Sequence, residues 1–293
     1  MVIRMLKTGT VLLILSLGIS AGYGQDYHPK NLLRFANHLY KTGDFVRAAA
    51  EYERFLYLSP EYHAPDSVSL TIALAHQQRD RFDLALNQFR DLLKTYPRSE
   101  IVSLARYGIP RNLHSMARWG EILGMADDPP SGYADSFWLM KSSAAFHTGE
   151  FDHAWKYLEL AAEVHDKSRF TDLLEKAENT NAVSPWLAGM SSALIPGSGR
   201  LLYGRTGDGV YSFVTIAVTG GIACLGYRSQ RNITAVVATI ATAAFYGGNI
   251  YGSYVGAKHH NRQADKKMQG EYFRYTEQEL FSIEATWSLP GLR

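Results

Sequence analysis

The chain has 293 residues, of which 46% are hydrophobic and 20% charged, with a formal net charge of +2 and a single cysteine. That length has room for about two domains, and so small a net charge excludes the electrostatic footprint of a nucleic-acid binder. One cysteine, Cys224, lying inside an apolar run, excludes a disulfide framework, a Cys-based zinc site and a lipid-modified N-terminal cysteine.

The averages conceal a division along the chain: apolar residues crowd into 11–19 and 209–257, while charges fill 25–182. At the N-terminus, Arg4 and Lys7 precede a short apolar stretch at 10–19, followed by Ser20, Ala21, Gly22 and Gly24. This is the order of an export signal over 1–24. At about ten residues the stretch is short for a full span, which needs roughly 20. A cleaved signal and an uncleaved anchor both carry residues 25 onward across the inner membrane.

Residues 29–60 hold Leu32, Phe35 and Ala36, then a turn at Gly43-Asp44-Phe45, then Ala48, Tyr52 and Phe55, ending at Pro60. The frame recurs over 66–97, with Asp80-Arg81-Phe82 at the turn, and over 135–168, with Gly149-Glu150-Phe151. A weaker copy falls between them over 98–129, with Ile101, Leu104, Ala105, Ala117 and Pro129 in register. The pattern resembles the tetratricopeptide repeat (TPR), in which small residues sit where paired helices approach and large ones fill the gaps between pairs. The resemblance implies an all-α solenoid over 25–183, closed by a polar capping helix at 169–183. It also implies a concave groove for protein partners, on which the repeat frame puts Asn37, Tyr40, Lys41, Gln77, Gln78, Phe146 and His147.

After Ser184-Pro185 the composition changes. Residues 210–227 and 233–257 are two uncharged apolar runs, each long enough to cross a bilayer. The second carries Gly248, Gly252 and Gly256 at four-residue spacing, which lets helices approach closely in lipid. A shorter run, 186–195, ends at Pro196-Gly197-Ser198-Gly199. With only the two long runs crossing and the repeats exported, Arg228 and Arg231 face the cytoplasm. Arg200, Arg205, Lys258, Arg262, Lys266 and Lys267 then face outward, against the positive-inside rule. A third crossing at 186–202 reverses this and places the tail, 262–293, in the cytoplasm. Two and three segments both remain open, with three favoured on charge.

Pro196-Gly197-x-Gly199 and Tyr203-Gly204-Arg205 resemble the P-G-x-G-x-x-Y-x-G signature of small bacterial membrane domains related to the two-transmembrane-helix family, with one extra residue before Tyr203. The stretch 245–261, with Asn249, resembles the closing helix of bacterial TPR proteins carrying such a module. The resemblance implies a membrane-embedded helical module over 184–261 in the bacterial inner membrane, with links to membrane-protein insertion factors. Pro196, Gly197, Gly199, Tyr203, Gly204, Gly248, Asn249, Gly252 and Gly256 are its motif residues here.

The chemistry of an enzyme is not legible. Gly197-x-Gly199 follows an apolar run with no third glycine at the spacing of a dinucleotide fingerprint, and no G-K-[ST] phosphate loop exists. His259 and His260, adjacent on a helix, point about 100° apart, unlike the i, i+4 pair of a helical zinc site. The expectation is a non-enzyme without cofactor or metal: a periplasm-facing, membrane-anchored scaffold binding a protein partner through its repeats. The alternative is an accessory factor for membrane-protein insertion in which the Gly-rich module does the work.

Overall fold

The computed structural model describes residues 28–180 and 182–284, so the export signal expected over 1–24 and the last nine residues of the tail lie outside the described residues. The described chain is all helical, without strands. It divides into two units, Met1–Lys167 with Tyr275–Arg293, and Ser168–Arg274.

In the first unit, helices follow one another in pairs: α1 (Pro29–Lys41) with α2 (Phe45–Leu58), α3 (Pro65–Gln77) with α4 (Phe82–Thr95), α5 (Val102–Ser115) with α6 (Trp119–Leu123), and α7 (Ala134–Thr148) with α8 (Phe151–Leu160). One backbone device makes all four internal turns. A left-handed residue at Gly43, Asp80, Ala117 or Gly149 ends the first helix. The next amide then reaches back to a free carbonyl: Asp44 to Leu39 at 2.9 Å, Arg81 to His76 at 3.0 Å, Arg118 to Leu113 at 2.9 Å and Glu150 to Ala145 at 2.9 Å. This is the Schellman closure, which satisfies carbonyls that a helix end otherwise leaves unpaired. An aromatic residue follows each time, at Phe45, Phe82, Trp119 and Phe151, and opens the second helix.

That recurrence corrects the register expected for the third repeat. Ala117 is the turn residue, with φ of 53°, and Ile122 takes the buried position held by Ala48, Ala85 and Ala154 in the other pairs. The bulk of Ile122 and the short α6 explain why this copy is faint in sequence. A left-handed alanine costs about 1 kcal/mol. Ala117→Gly is therefore expected to stabilise the protein by about that amount in chemical denaturation; an unchanged or lower midpoint would refute the turn assignment.

The core of this unit runs through the pairs. Ala36, Ala48, Tyr52, Phe55 and Ile72 enclose one cluster. Leu70, Ala73, Phe89, Leu92, Ala105 and Met140 form the next, and it also contains Leu280 from the far end of the sequence.

The second unit opens with α9 (Lys167–Glu178), whose Phe170 packs edge-on against Tyr272 at 5.0 Å. The helix expected to cap the repeats thus forms, and from Ser168 onward it groups with the second unit. Then come α10 (Pro185–Leu194), the four-residue α11 (Ser198–Leu201), α12 (Thr206–Arg228) and α13 (Asn232–Glu284). Ser184 caps α10, its hydroxyl accepting from the Leu187 amide at 3.4 Å, and Pro185 fills the first helical position. The apolar run and the charged tail, expected as separate elements, form one 53-residue helix. Residues 281–284 are its final turn.

Helices α12 and α13 are long and apolar enough to cross a membrane. Only 22% and 17% of their most apolar windows are buried. Val210, Phe213, Val218 and Leu225 on α12, and Ile233, Val237, Ile240 and Phe245 on α13, are exposed. A soluble core helix is covered by its own protein; these are not.

Candidate functional site

Two sites stand out, one in each unit. In the first unit, the last turns of α13 lie against α5 and α7. The Arg111 guanidinium forks onto the Glu277 carboxylate, with contacts of 3.2 and 2.9 Å. This bidentate geometry is one that arginine alone among side chains provides. Buried His114 bridges the same carboxylate through Nδ1 at 2.8 Å and Ser143 Oγ through Nε2 at 3.0 Å. One turn on, Leu280 is fully buried in the core. Beside this contact lies an open groove of about 380 Å³, lined by Gln77, Gln78, Phe82, Arg111, Glu277 and Phe281.

Burial pushes the His114 imidazole below its ordinary value, and the Glu277 hydrogen bond and charge oppose that without reversing it. Burial alone would raise the Glu277 carboxyl. The His114 hydrogen bond and the Arg111 charge override it, and the carboxyl is held below the usual carboxylate range. The neutral tautomer with its proton on Nδ1 meets both contacts, donating to Glu277 and accepting from Ser143. Ser143, His114 and Glu277 thus form a chain of the kind hydrolases use. Here the serine and the histidine are fully enclosed, so no substrate reaches the hydroxyl.

The linkage has a definite sign. A depressed histidine contributes its full stability above the ordinary value of 6.5 and loses it as pH falls through and below that value. A depressed carboxyl contributes fully above its ordinary 4.5 and loses its share as pH falls further. The melting temperature of the full chain in detergent is therefore expected to be lower at pH 5.5 than at 7.5, with the difference reduced in His114→Gln. Equal melting temperatures for the wild type would refute the buried neutral histidine.

The residues expected on a concave face divide. Gln77 and Gln78 line the groove, and Gln77 also accepts from Asn112 at 3.0 Å. Asn37 is taken up inside its helix pair, accepting from the Tyr52 hydroxyl at 2.7 Å, and Tyr40 packs edge-on against Phe45 at 5.2 Å. Lys41 is exposed. Phe146 is only 2% exposed, so it is a core residue rather than a groove contact; its helix α7 is covered on nearly every side. His147 stacks on Trp119 at 4.2 Å. Sequence reasoning missed Arg111, His114 and Glu277, because nothing local marks a partnership across 166 residues. It also missed buried Lys141, whose ammonium bonds to the Met125 carbonyl at 2.6 Å and pairs with Asp127. A lysine in the middle of an apolar helix was the available signal.

In the second unit, the motif residues converge on the break between α10 and α11. Gly197 is left-handed, with φ of 86°, and a side chain there would meet the Gly209 carbonyl oxygen at 2.0 Å. A side chain on Gly199 would meet the Ala188 carbonyl oxygen at 1.8 Å. Buried Asn249 holds the break from α13, accepting from the Gly197 amide and donating to the Ser192 carbonyl, both at 3.1 Å. The Ser192 hydroxyl accepts from the Gly199 amide at 3.0 Å and bonds to Ser253 Oγ at 2.7 Å. Asn261 repeats the two-way clasp on Val183, at 2.9 and 3.1 Å. Asn249 and Ser192 thus satisfy backbone groups at the interrupted helix, while the buried Ser198 hydroxyl beside them has no hydrogen-bond partner. Ser192, Ser253 and Asn261 are additions to the motif that the sequence left unmarked.

The glycine stripe divides as well. Gly256 faces the Tyr203 hydroxyl, Gly252 faces Arg200, and Gly248 faces open space. The approach of α12 to α13 is made instead at Gly226, where a side chain would lie 3.0 Å from Ala235. Left-handed Gly204 ends α11 with open space around it. Pro196 precedes Gly197 where α10 has ended. At ten residues, α10 is about 15 Å long, half the apolar thickness of a bilayer.

Glu277, Leu280 and their neighbours, expected across a membrane from the repeats, pack in the same unit as the repeats. Among the described residues, no group of three or more His, Cys, Asp or Glu side chains gathers as a metal site would require. No family model, curated protein or solved structure matches the chain.

Proposed function

We propose that this protein is a membrane-anchored helical-repeat scaffold that binds a protein partner in the bacterial cell envelope. The observation that carries the reading is the pairing of a TPR-like array with a helical hairpin whose apolar faces are left uncovered. A bilayer is the medium that satisfies such a surface. With α12 and the first turns of α13 crossing, the number of crossings is even, and array and tail share one face of the membrane. The segment α10–α11 dips in without crossing. This opposes the charge rule, since six basic residues then stay with the array and only Arg228 and Arg231 lie beyond. The N-terminal export signal acts before the hairpin emerges, and the first signal usually dominates orientation. The array therefore faces the periplasm.

The groove beside Gln77, Gln78 and Phe82 is the docking surface in this reading. A photo-crosslinking residue at exposed Gln78 of the full chain, expressed in cells, is expected to capture one defined protein. The same residue at Glu53 on α2, which does not line the groove, is expected to capture none. Equal capture from both positions would refute the groove as the working surface. The alternative, in which the Gly-rich module is the active part, is favoured by the number of fixed hydrogen bonds at the α10–α11 break. It predicts that changes at Asn249 abolish function while Gln78 still captures its partner.

A further inference from the structure

We propose that residues 275–284 are a resident ligand in the groove of the array, displaced when the partner binds. The partner segment is then an amphipathic helix with a carboxylate followed three residues later by a leucine. The inference rests on the scaffold reading and gives its partner a chemistry.

The contacts of this segment are those of a docked peptide. One carboxylate is forked by Arg111 and bridged by His114, and one leucine is buried as an anchor. A helix that presents anchors at i and i+3 to a groove is a common recognition mode. The seat is incompletely filled. The groove of about 380 Å³ stays open beside it, and Phe281, which borders it, is 70% exposed. A competitor that covers the groove as well buries more than the resident does.

The helix before it is lightly held only as far as Gly270; beyond that point Tyr272, buried against Phe170, and buried Thr276 fix it again. From Lys258 to Gly270, α13 is polar, and every residue is exposed or only half-buried. Little burial holds those turns in place. Gly270 has open space where a side chain would be, so no packing demands a glycine there. Glycine in a helix interior lowers stability by about 1 kcal/mol relative to alanine. The helix therefore has a weak point five residues before the docked segment. Displacement of the segment releases Glu277 and Leu280 together with buried Thr276 and the Glu279 contact to His165, and it leaves Arg111 available for an incoming carboxylate.

The test uses the full chain in detergent and a fluorescent peptide of residues 271–284 as the probe. The wild type, with its groove occupied, is expected to bind the peptide weakly. The doubly substituted Glu277→Ala, Leu280→Ala chain is expected to bind it about tenfold tighter or more, because apparent affinity scales with the fraction of open groove. Adding Arg111→Ala is expected to remove that binding. A doubly substituted chain that keeps its helical circular dichroism yet binds no better than the wild type overturns the proposal. Should that variant unfold, hydrogen exchange on the wild type decides. Exchange of 275–284 ahead of 102–115, slowed by Gly270→Ala, supports a displaceable segment; exchange of both together overturns it. Peptide binding as expected, with no capture from Gln78 in cells, would sink the scaffold reading and leave the resident segment standing.

Discussion

Gly199→Ala is expected to be the most damaging single-methyl change in the molecule. The added carbon would lie 1.8 Å from the Ala188 carbonyl oxygen and 2.7 Å from Ser192 Oγ. The first obstacle is backbone, so no rotamer relieves it; α11 must move away from α10. That shift breaks the bond from the Gly199 amide to Ser192 and loosens the bond between Ser192 and Ser253. Overpacking costs about 1–3 kcal/mol where side chains can yield, and a rigid collision with loss of buried hydrogen bonds takes the expected cost to about 4 kcal/mol. Denaturation in detergent measures it, and Gly248→Ala is the control, because nothing lies within 4 Å of that position. A Gly199→Ala protein as stable as the control would mean that the α10–α11 break is not built as described.

Arg111→Ala comes second. It leaves the Glu277 carboxylate, whose side chain is 28% exposed, facing buried His114 without its cation. Removing one partner of an enclosed pair costs about 3 kcal/mol, since the remaining charge stays desolvated. Arg111→Lys is expected to recover little of it, because an ammonium cannot replace the fork. The double substitution with Glu277→Gln is expected to cost clearly less than the sum of the two single changes. Additive costs would show that the two side chains do not interact.

What could be read in the sequence was local. Gly43-Asp44-Phe45 and Gly149-Glu150-Phe151 announce their turns because glycine, then a polar residue, then an aromatic is the order that the closure needs. Ala117-Arg118-Trp119 obeys the same order without the glycine, and it is hidden because alanine also fits the small position of a second helix. The apolar runs of α12 and α13 were legible from length and the absence of charge. Gly197, Gly199 and Asn249 stand out as a motif in the sequence, and the structure brings them within hydrogen-bonding or van der Waals distance of one another's segments. The docking of Glu277 was not legible. A carboxylate in the polar sequence 274–280 reads as a solvated helix face, and only the fold supplies Arg111 and His114 to meet it. The return of residues 275–284 to the first unit is invisible to charge counting for the same reason.

Cysteine accessibility in intact cells tests the central claim most directly. With Cys224 replaced by alanine, single cysteines are introduced as Tyr57→Cys in the array, Gln230→Cys in the turn between α12 and α13, and Ser282→Cys in the tail; all three positions are exposed. A membrane-impermeant maleimide that reaches the periplasm is expected to label positions 57 and 282 together and to spare 230 until the inner membrane is opened. Labelling of 57 alone, with 282 protected alongside 230, would mean that the tail lies across the membrane from the array, contradicting both the hairpin and the occupied groove.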